Sequence, residues 1–433
     1  MKVDERGVLL NPQPAALANP ARGRFHYAYL IILLGTLTLL GVQGFQRFAY
    51  AMILPSMRET MGLSYAQTGM LATANYAGFT LAAALIGFLV LRFGQRAVIG
   101  AGVTVAGLAM FLTGAAQSYE LALALQVVAG AGAGVSSSTA LSLAGPWFVA
   151  HRRGMAAGAM ASGGPLGSLI TGPLLPMLIA AFGTAGWRYG WLALGSAVVV
   201  VGLLDLTLLR NHPAEKGLAA HGAKSATVLP KRERVDLKQI YRMPIVWHLA
   251  LLALASTLGA ISFNTFFTAY LVNERAVTIE VAGQLWALAG IVGLVGGFVW
   301  GGISDRVGRK LALLGSASLQ GLGFALFALG GGVFVFALCA FLYGITARAN
   351  FVVLAAYCGD LLGDRHAAAA FGLVALFAGM GLTIGPTLSG LVADLTGSFT
   401  IAFWGSAAVL ALGALGSAAL PAKPTPHRAT ALT

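Results

Sequence analysis

Two arginines and one charged decapeptide are the places where this sequence could do chemistry. Arg47 and Arg348 each sit inside a long apolar run, in a chain that is only 9% charged. Holding an arginine at mid-membrane depth costs about 2.5–3.5 kcal/mol on insertion scales, so such a residue faces a cavity or a partner. The acids offer no evident partner, because Glu120, Asp205, Asp360 and Asp394 all fall near the ends of apolar runs. A positive site with no internal acid invites an anion. A guanidinium grips a carboxylate through two parallel hydrogen bonds. The decapeptide Gly301 to Lys310, GGISDRVGRK, places Asp305, Arg306, Arg309 and Lys310 between two apolar runs. The bases there follow from topology; the acid asks for another explanation.

Neighbouring polar residues extend the arginine sites. Gln43, Arg47 and Tyr50 fall at i, i+4 and i+7, which predicts one polar helix face. Asn75 and Tyr76, the run Ser136, Ser137, Ser138 and Thr139, the pair Asn264 and Thr268, and Tyr343 and Asn350 are further candidates. On a regular helix Tyr343 and Asn350 do not share a face with Arg348.

The elements that position these residues are membrane helices. Hydrophobic residues make up 58% of the 433, and mean hydropathy is +0.82. Twelve runs are long enough to cross a bilayer: 27–55, 66–91, 97–117, 120–149, 155–182, 188–209, 246–272, 281–303, 311–330, 333–359, 367–393 and 398–420. Alternating strand patterns are absent, which leaves helices as the spanning element. With the N-terminus placed in the cytoplasm, 22 of the 27 lysines and arginines fall on that side and three (Arg58, Arg188 and Arg275) on the other. The bias predicts both termini in the cytoplasm and an inner-membrane location.

The net charge of +13 gathers in short loops rather than on one surface, which argues against nucleic acid as a partner. Residues 1–26 read as a polar cytoplasmic tail and 421–433 as a second. No cleavage site follows the first apolar run, so no removed signal peptide is expected. Cys339 and Cys358 are about 28 Å apart along a helix and form no bridge. No metal-spaced His/Cys cluster, GxSxG elbow or nucleotide loop appears, so neither cofactor nor enzyme activity is expected. The glycines of GAGAG (130–134) lack a phosphate-loop lysine and read as close helix packing.

The chain also repeats itself. GFLVLRFGQR (87–96) and GGISDRVGRK share Gly, Arg, Gly and a closing base at an offset of 214. TGP at 171–173 and IGP at 384–386, and Trp191 and Trp404, match at an offset of 213. Two six-helix bundles follow, 27–209 and 246–420, joined by a polar linker at 210–245. Parallel halves with a site between them are a transporter design.

On these residues the sequence resembles the major facilitator superfamily over about 25–420. The strongest resemblance is Gly301-x-x-x-Asp305-Arg306-x-Gly308-Arg309-Lys310, similar to that superfamily's loop between helices eight and nine. The first-half copy departs from it by placing Leu91 where the acid would stand. The fourth helix has Gln126 where many members carry arginine. Residues 44–78 resemble the YbfB/YjiJ-like branch, and RNHPAEKGL (210–218) resembles the oxalate and monocarboxylate branch more loosely. The resemblance implies a twelve-helix monomer whose helices one, four, seven and ten line a central cavity. It also implies that Asp305 bridges the halves as part of a breakable lock. The acid would meet the N-terminus of the fifth helix, just after Arg152 and Arg153, where free N–H groups favour an anion.

The expectation is a secondary carrier for a small anion, a carboxylate, working by alternating access. Efflux of amphipathic compounds in exchange for protons is the alternative, and a membrane enzyme or sensor a distant third. None of the seven histidines is central, so the sequence leaves open whether protons accompany the substrate.

Overall fold

A computed structural model describes residues 26–222 and 240–421. The readings made for the two tails and the middle of the linker lie outside them. Twelve helical passes are present, close to the predicted runs: α1 (Tyr27–Met61), α2 (65–93), α3 (95–115), α4 (Tyr119–Trp147), α5 (150–182), α6 (Gly186–Leu208), α7 (Pro244–Asn273), α8 (Ile279–Val307), α9 (Arg309–Leu329), α10 (Val333–Gly363), α11 (364–396) and α12 (Thr400–Ala418). Among the described residues ten helical stretches are long and apolar enough to cross a bilayer. One of them holds both α5 and α6, and α2, interrupted by Gln67, Thr73 and Asn75, completes the set of twelve. Side-chain caps start several passes at the end opposite the termini: Ser64 with Gln67 on α2, Ser118 on α4 and Thr278 on α8.

The repeat seen in the sequence is a repeat of backbone geometry. Gly94 breaks the helix between α2 and α3 at φ 79°, ψ 161°, and Gly308 breaks it between α8 and α9 at φ 90°, ψ 157°. An L-residue with a side chain is strained there, so glycine and the following base recur together.

Two sets of six helices face each other through α2 against α11, α5 against α8 and α1 against α7. Small residues bring the backbones close. Gly130 of GAGAG rests on the backbone of Asn75, seating α4 on α2. Hydrogen bonds join the halves from the far end to the middle. The Asp394 carboxylate accepts from Tyr65 N and Ala66 N at 2.9 and 2.8 Å, Asn273 donates to the Tyr65 hydroxyl, and Thr73 donates to the Thr383 carbonyl. Among the described residues no hydrogen bond joins the halves at the end carrying the termini.

Candidate functional site

A small cavity lies at the middle of the bundle, lined by Gln46, Arg47, Tyr50, Ala72, Asn75, Tyr76, Gln126, Asn264 and Thr265. Its central charge is Arg47. The guanidinium carbon stands 4.0 Å from the Phe79 ring centre and 4.8 Å from that of Tyr76, a cation–π cradle. Arg47 Nε and Nη2 are buried with no hydrogen-bond partner. Among the described residues the only ion pairs within 4 Å are those of Arg309, so no acid neutralises Arg47. The rings fix the cation in place and leave its hydrogen-bonding edge unused.

Local winding decides which neighbours join it. Residues Leu40–Phe48 of α1 wind as a π-helix, whose i→i+5 bonding rotates side chains away from α-helical spacing. Gln46, which sequence spacing missed, therefore lines the cavity beside Arg47. Gln43, expected on that face, instead points toward Gly164 and Arg348. Tyr50 lines the cavity and donates to the Thr68 carbonyl at 2.7 Å. Because Gly130 lets α4 settle on α2, Asn75 Nδ2 reaches Gln126 Oε1 at 3.0 Å. Sequence reasoning marked Gln126 only as a departure from a family pattern. Its signal was there: a lone amide in the apolar stretch that precedes GAGAG.

From the C-terminal half, Asn264 donates to the Tyr76 hydroxyl at 3.2 Å and accepts from the Tyr343 hydroxyl at 3.3 Å. Other predicted residues lie off the cavity. Thr268 contacts the Met52 sulfur, Ser137 turns back to the Ala133 carbonyl, and Asn350 is held between Ser316 and Ser256 inside the C-terminal half.

Arg348 is at a break in α10, where Ala347 and Arg348 separate two helical segments. It crosses to the other half: Nη1 donates to the Ala161 carbonyl of α5 at 2.9 Å. Gly164 makes room, since a Cβ there would stand 2.5 Å from Arg348 Nη2. Arg348 thus joins the halves just off the cavity lining. One acid proves less peripheral than its position in sequence implied. Asp205, in the last turn of α6, is fully buried and accepts from Thr38 at 2.7 Å.

The charged loop lies at the end carrying the termini. Asp305 pairs with Arg309 at 2.5 Å, and Arg309 Nε pairs with Asp360 at 2.7 Å, all within the C-terminal half. Asp305 is largely exposed, Arg306 is exposed and Lys310 half-buried. Arg153 donates to the Phe148 carbonyl, and Arg152 stands beside the linker at Gly222. The structure does not bring Asp305 to Arg152 or Arg153.

Twelve spanning helices in two sets of six around a mid-bundle cavity define a membrane transporter. A Major Facilitator Superfamily model matches residues 36–331 and, in a second match, 249–432, and the chain belongs to that superfamily. It is 25% identical over 372 residues to a hexuronate transporter of Bacillus subtilis, covering 82% of this chain and 86% of that one. It is also 25% identical over 391 residues to a probable sulfoacetate transporter of Cupriavidus necator, covering 84% and 87%. A bacterial homologue of the human lysosomal transporter Spinster, solved inward-facing and occupied, superposes with a TM-score of 0.72 at 16% identity, covering 91% of this chain and 97% of that one.

Proposed function

We propose that this protein is a secondary carrier that moves a small organic anion, a carboxylate, across the inner membrane by alternating access. The observation that carries the reading is Arg47: a buried cation in the mid-bundle cavity, fixed by two rings, with two unused donors and no acid beside it among the described residues. An incoming carboxylate supplies both the missing charge and the missing acceptors. Relatives named for hexuronate and sulfoacetate transport support the same class of cargo.

In this reading the bundles 27–209 and 246–420 rock about the cavity. Asp394 on the N-terminus of α2 seals the far end while the site faces the end carrying the termini. In the opposite state Asp305 meets the start of α5, with Arg152, Arg153, Arg306, Arg309 and Lys310 around it. The lysine and arginine bias puts that end in the cytoplasm. The carrier works as a monomer, and its turnover is balanced by protons or by exchange for a second anion.

The test is thermal stabilisation of the purified protein by small carboxylates, with neutral and lipophilic cationic compounds alongside, followed by uptake into proteoliposomes. A ligand of the folded state raises its stability in proportion to occupancy. Stabilisation by carboxylates is expected. Stabilisation by lipophilic cations alone would replace this reading with efflux.

A further inference from the structure

The unmet hydrogen bonds of the cavity say more about the ligand than its charge. Gln46, Asn75 and Gln126 are 2%, 5% and 3% exposed. Both polar atoms of the Gln46 side chain, Oδ1 of Asn75 and Nε2 of Gln126 have no protein partner, nor do Nε and Nη2 of Arg47. Buried polar groups are normally satisfied, so this cluster awaits something that fills it.

The set contains donors and acceptors in fixed proportion. Arg47 only donates, and each free amide offers one donating and one accepting end. Asn75 Nδ2 donates to Gln126 Oε1 at 3.0 Å and to the Gln126 backbone carbonyl at 3.4 Å, which fixes the orientation of the Asn75 amide and leaves one acceptor and one donor over. A carboxylate can only accept. It would satisfy Arg47 and the amide donors, and would leave the acceptors of Asn75 and Gln46 buried and unmet. A ligand that meets these acceptors directly, without water, donates as well. An ammonium group would do so, but beside the Arg47 cation it meets like charge in a poorly screened interior. A hydroxyl donates, accepts and carries no charge.

We infer that the substrate is a hydroxylated carboxylate, its carboxylate on Arg47 and its hydroxyls shared among Gln46, Asn75 and Gln126. This rests on the anion reading above and narrows it. Asn264 already has partners in Tyr76 and Tyr343, which leaves the N-terminal amides and, from the C-terminal half, Thr265 to meet hydroxyls.

The experiment titrates the purified full chain with matched acids, propionate against glycerate and hexanoate against gluconate, and with the neutral polyol sorbitol, reading thermal stabilisation. Each hydroxylated acid is expected to act at about tenfold lower concentration than its deoxy partner, the worth of one or two added hydrogen bonds. Gln46→Leu and Asn75→Ala, each checked for an unchanged elution volume and a cooperative melt, are expected to bring that ratio toward one while hexanoate binding persists. Equal binding of the paired acids to the wild type would overturn the hydroxyl inference and leave the anion reading standing, with water meeting the two acceptors. Binding of neither acid would remove both. Sorbitol binding as tightly as gluconate would overturn the placement of a carboxylate on Arg47. A preference that survives both substitutions would show that hydroxyls are read elsewhere.

Discussion

The two halves present different walls to the cavity they share. The N-terminal half contributes Gln46, Arg47, Asn75 and Gln126, all buried and all with unused hydrogen-bonding capacity. The C-terminal half contributes Asn264, already engaged, and Thr265, backed by rings packed on one another: Phe263 on Phe324 at 4.9 Å, Phe267 on Trp286 at 5.2 Å and Phe263 on Tyr343 at 4.6 Å. The arginines differ in the same sense. Arg47 keeps donors free over two aromatic faces, whereas Arg348 donates to a backbone carbonyl of the opposite half. Buried polar groups are normally satisfied, so the clustering of unmet ones around a single cavity is the difference between the halves. In the proposed cycle the N-terminal half binds the anion and the C-terminal half closes on it.

The largest effect is expected from Arg47→Ala. Losing two charge-assisted hydrogen bonds, each worth about 1.5–3 kcal/mol, weakens carboxylate binding by roughly 100-fold or more. Ligand-free stability should hold or rise, because an unpaired buried cation is removed. Thermal unfolding with and without ligand reads both, and a variant that binds normally would break the comparison. Arg47→Lys is expected to recover little, since an ammonium lacks the two-pronged geometry.

Arg348→Ala sharpens the contrast. Transport is expected to fall about tenfold while the ligand Kd moves by less than about threefold, on the view that one charge-strengthened link between the halves is worth 1.5 kcal/mol or so. A Kd that collapses as in Arg47→Ala would make Arg348 a ligand and erase the difference. Gly164→Ala should act in the same direction more weakly, by pushing the Arg348 guanidinium off the Ala161 carbonyl.

The two ends of the molecule make a third test. Asp394→Asn removes a charge from the N-terminus of α2 and is expected to favour opening at the far end by about 1 kcal/mol, roughly a fivefold change in population. Asp305→Asn is expected to shift the balance the other way. Spin-label distances across each end read the shifts, and movement in the same direction would sink the idea of opposed seals.

The smallest effect concerns the linker. His221 accepts at its carbonyl from Val149 N, donates its own N–H to the Trp147 carbonyl at 2.8 Å, and its ring lies tilted against that of His26, centre to centre 4.9 Å. Burial lowers the pKa of both imidazoles, and for His221 the neighbouring His26 and Arg152 add to the effect. Folded groups that resist protonation give a contribution fully present above the ordinary histidine pKa of about 6.5. It is lost as pH falls through the lower folded value. Amide exchange at His221 should therefore quicken on acidification below about pH 6.5; a rate following only the intrinsic pH dependence of exchange would count against it.

How much of this was legible beforehand varies by residue. Arg47 was found because a lone cation in an apolar run stands out. Gln46 was missed, and Gln43 chosen in its place, because α-helical spacing was assumed where α1 winds as a π-helix. Asn350 and Ser137 looked equally polar in the sequence, yet both are occupied within their own halves.

The sequence by itself determined the twelve spans, the two-fold repeat and the glycine breaks at Gly94 and Gly308. Those rest on local quantities: the length of an apolar run, the side on which bases collect, a residue able to take positive φ. The tertiary structure alone decided that Gln126 would meet Asn75, that Arg348 would reach α5, and that Asp205 would be buried against Thr38. Each depends on how closely two distant helices approach. That distance is set by small residues facing one another across the bundle, Gly130 against Asn75 and Gly164 beneath Arg348, and no stretch of one helix records which partner it will meet.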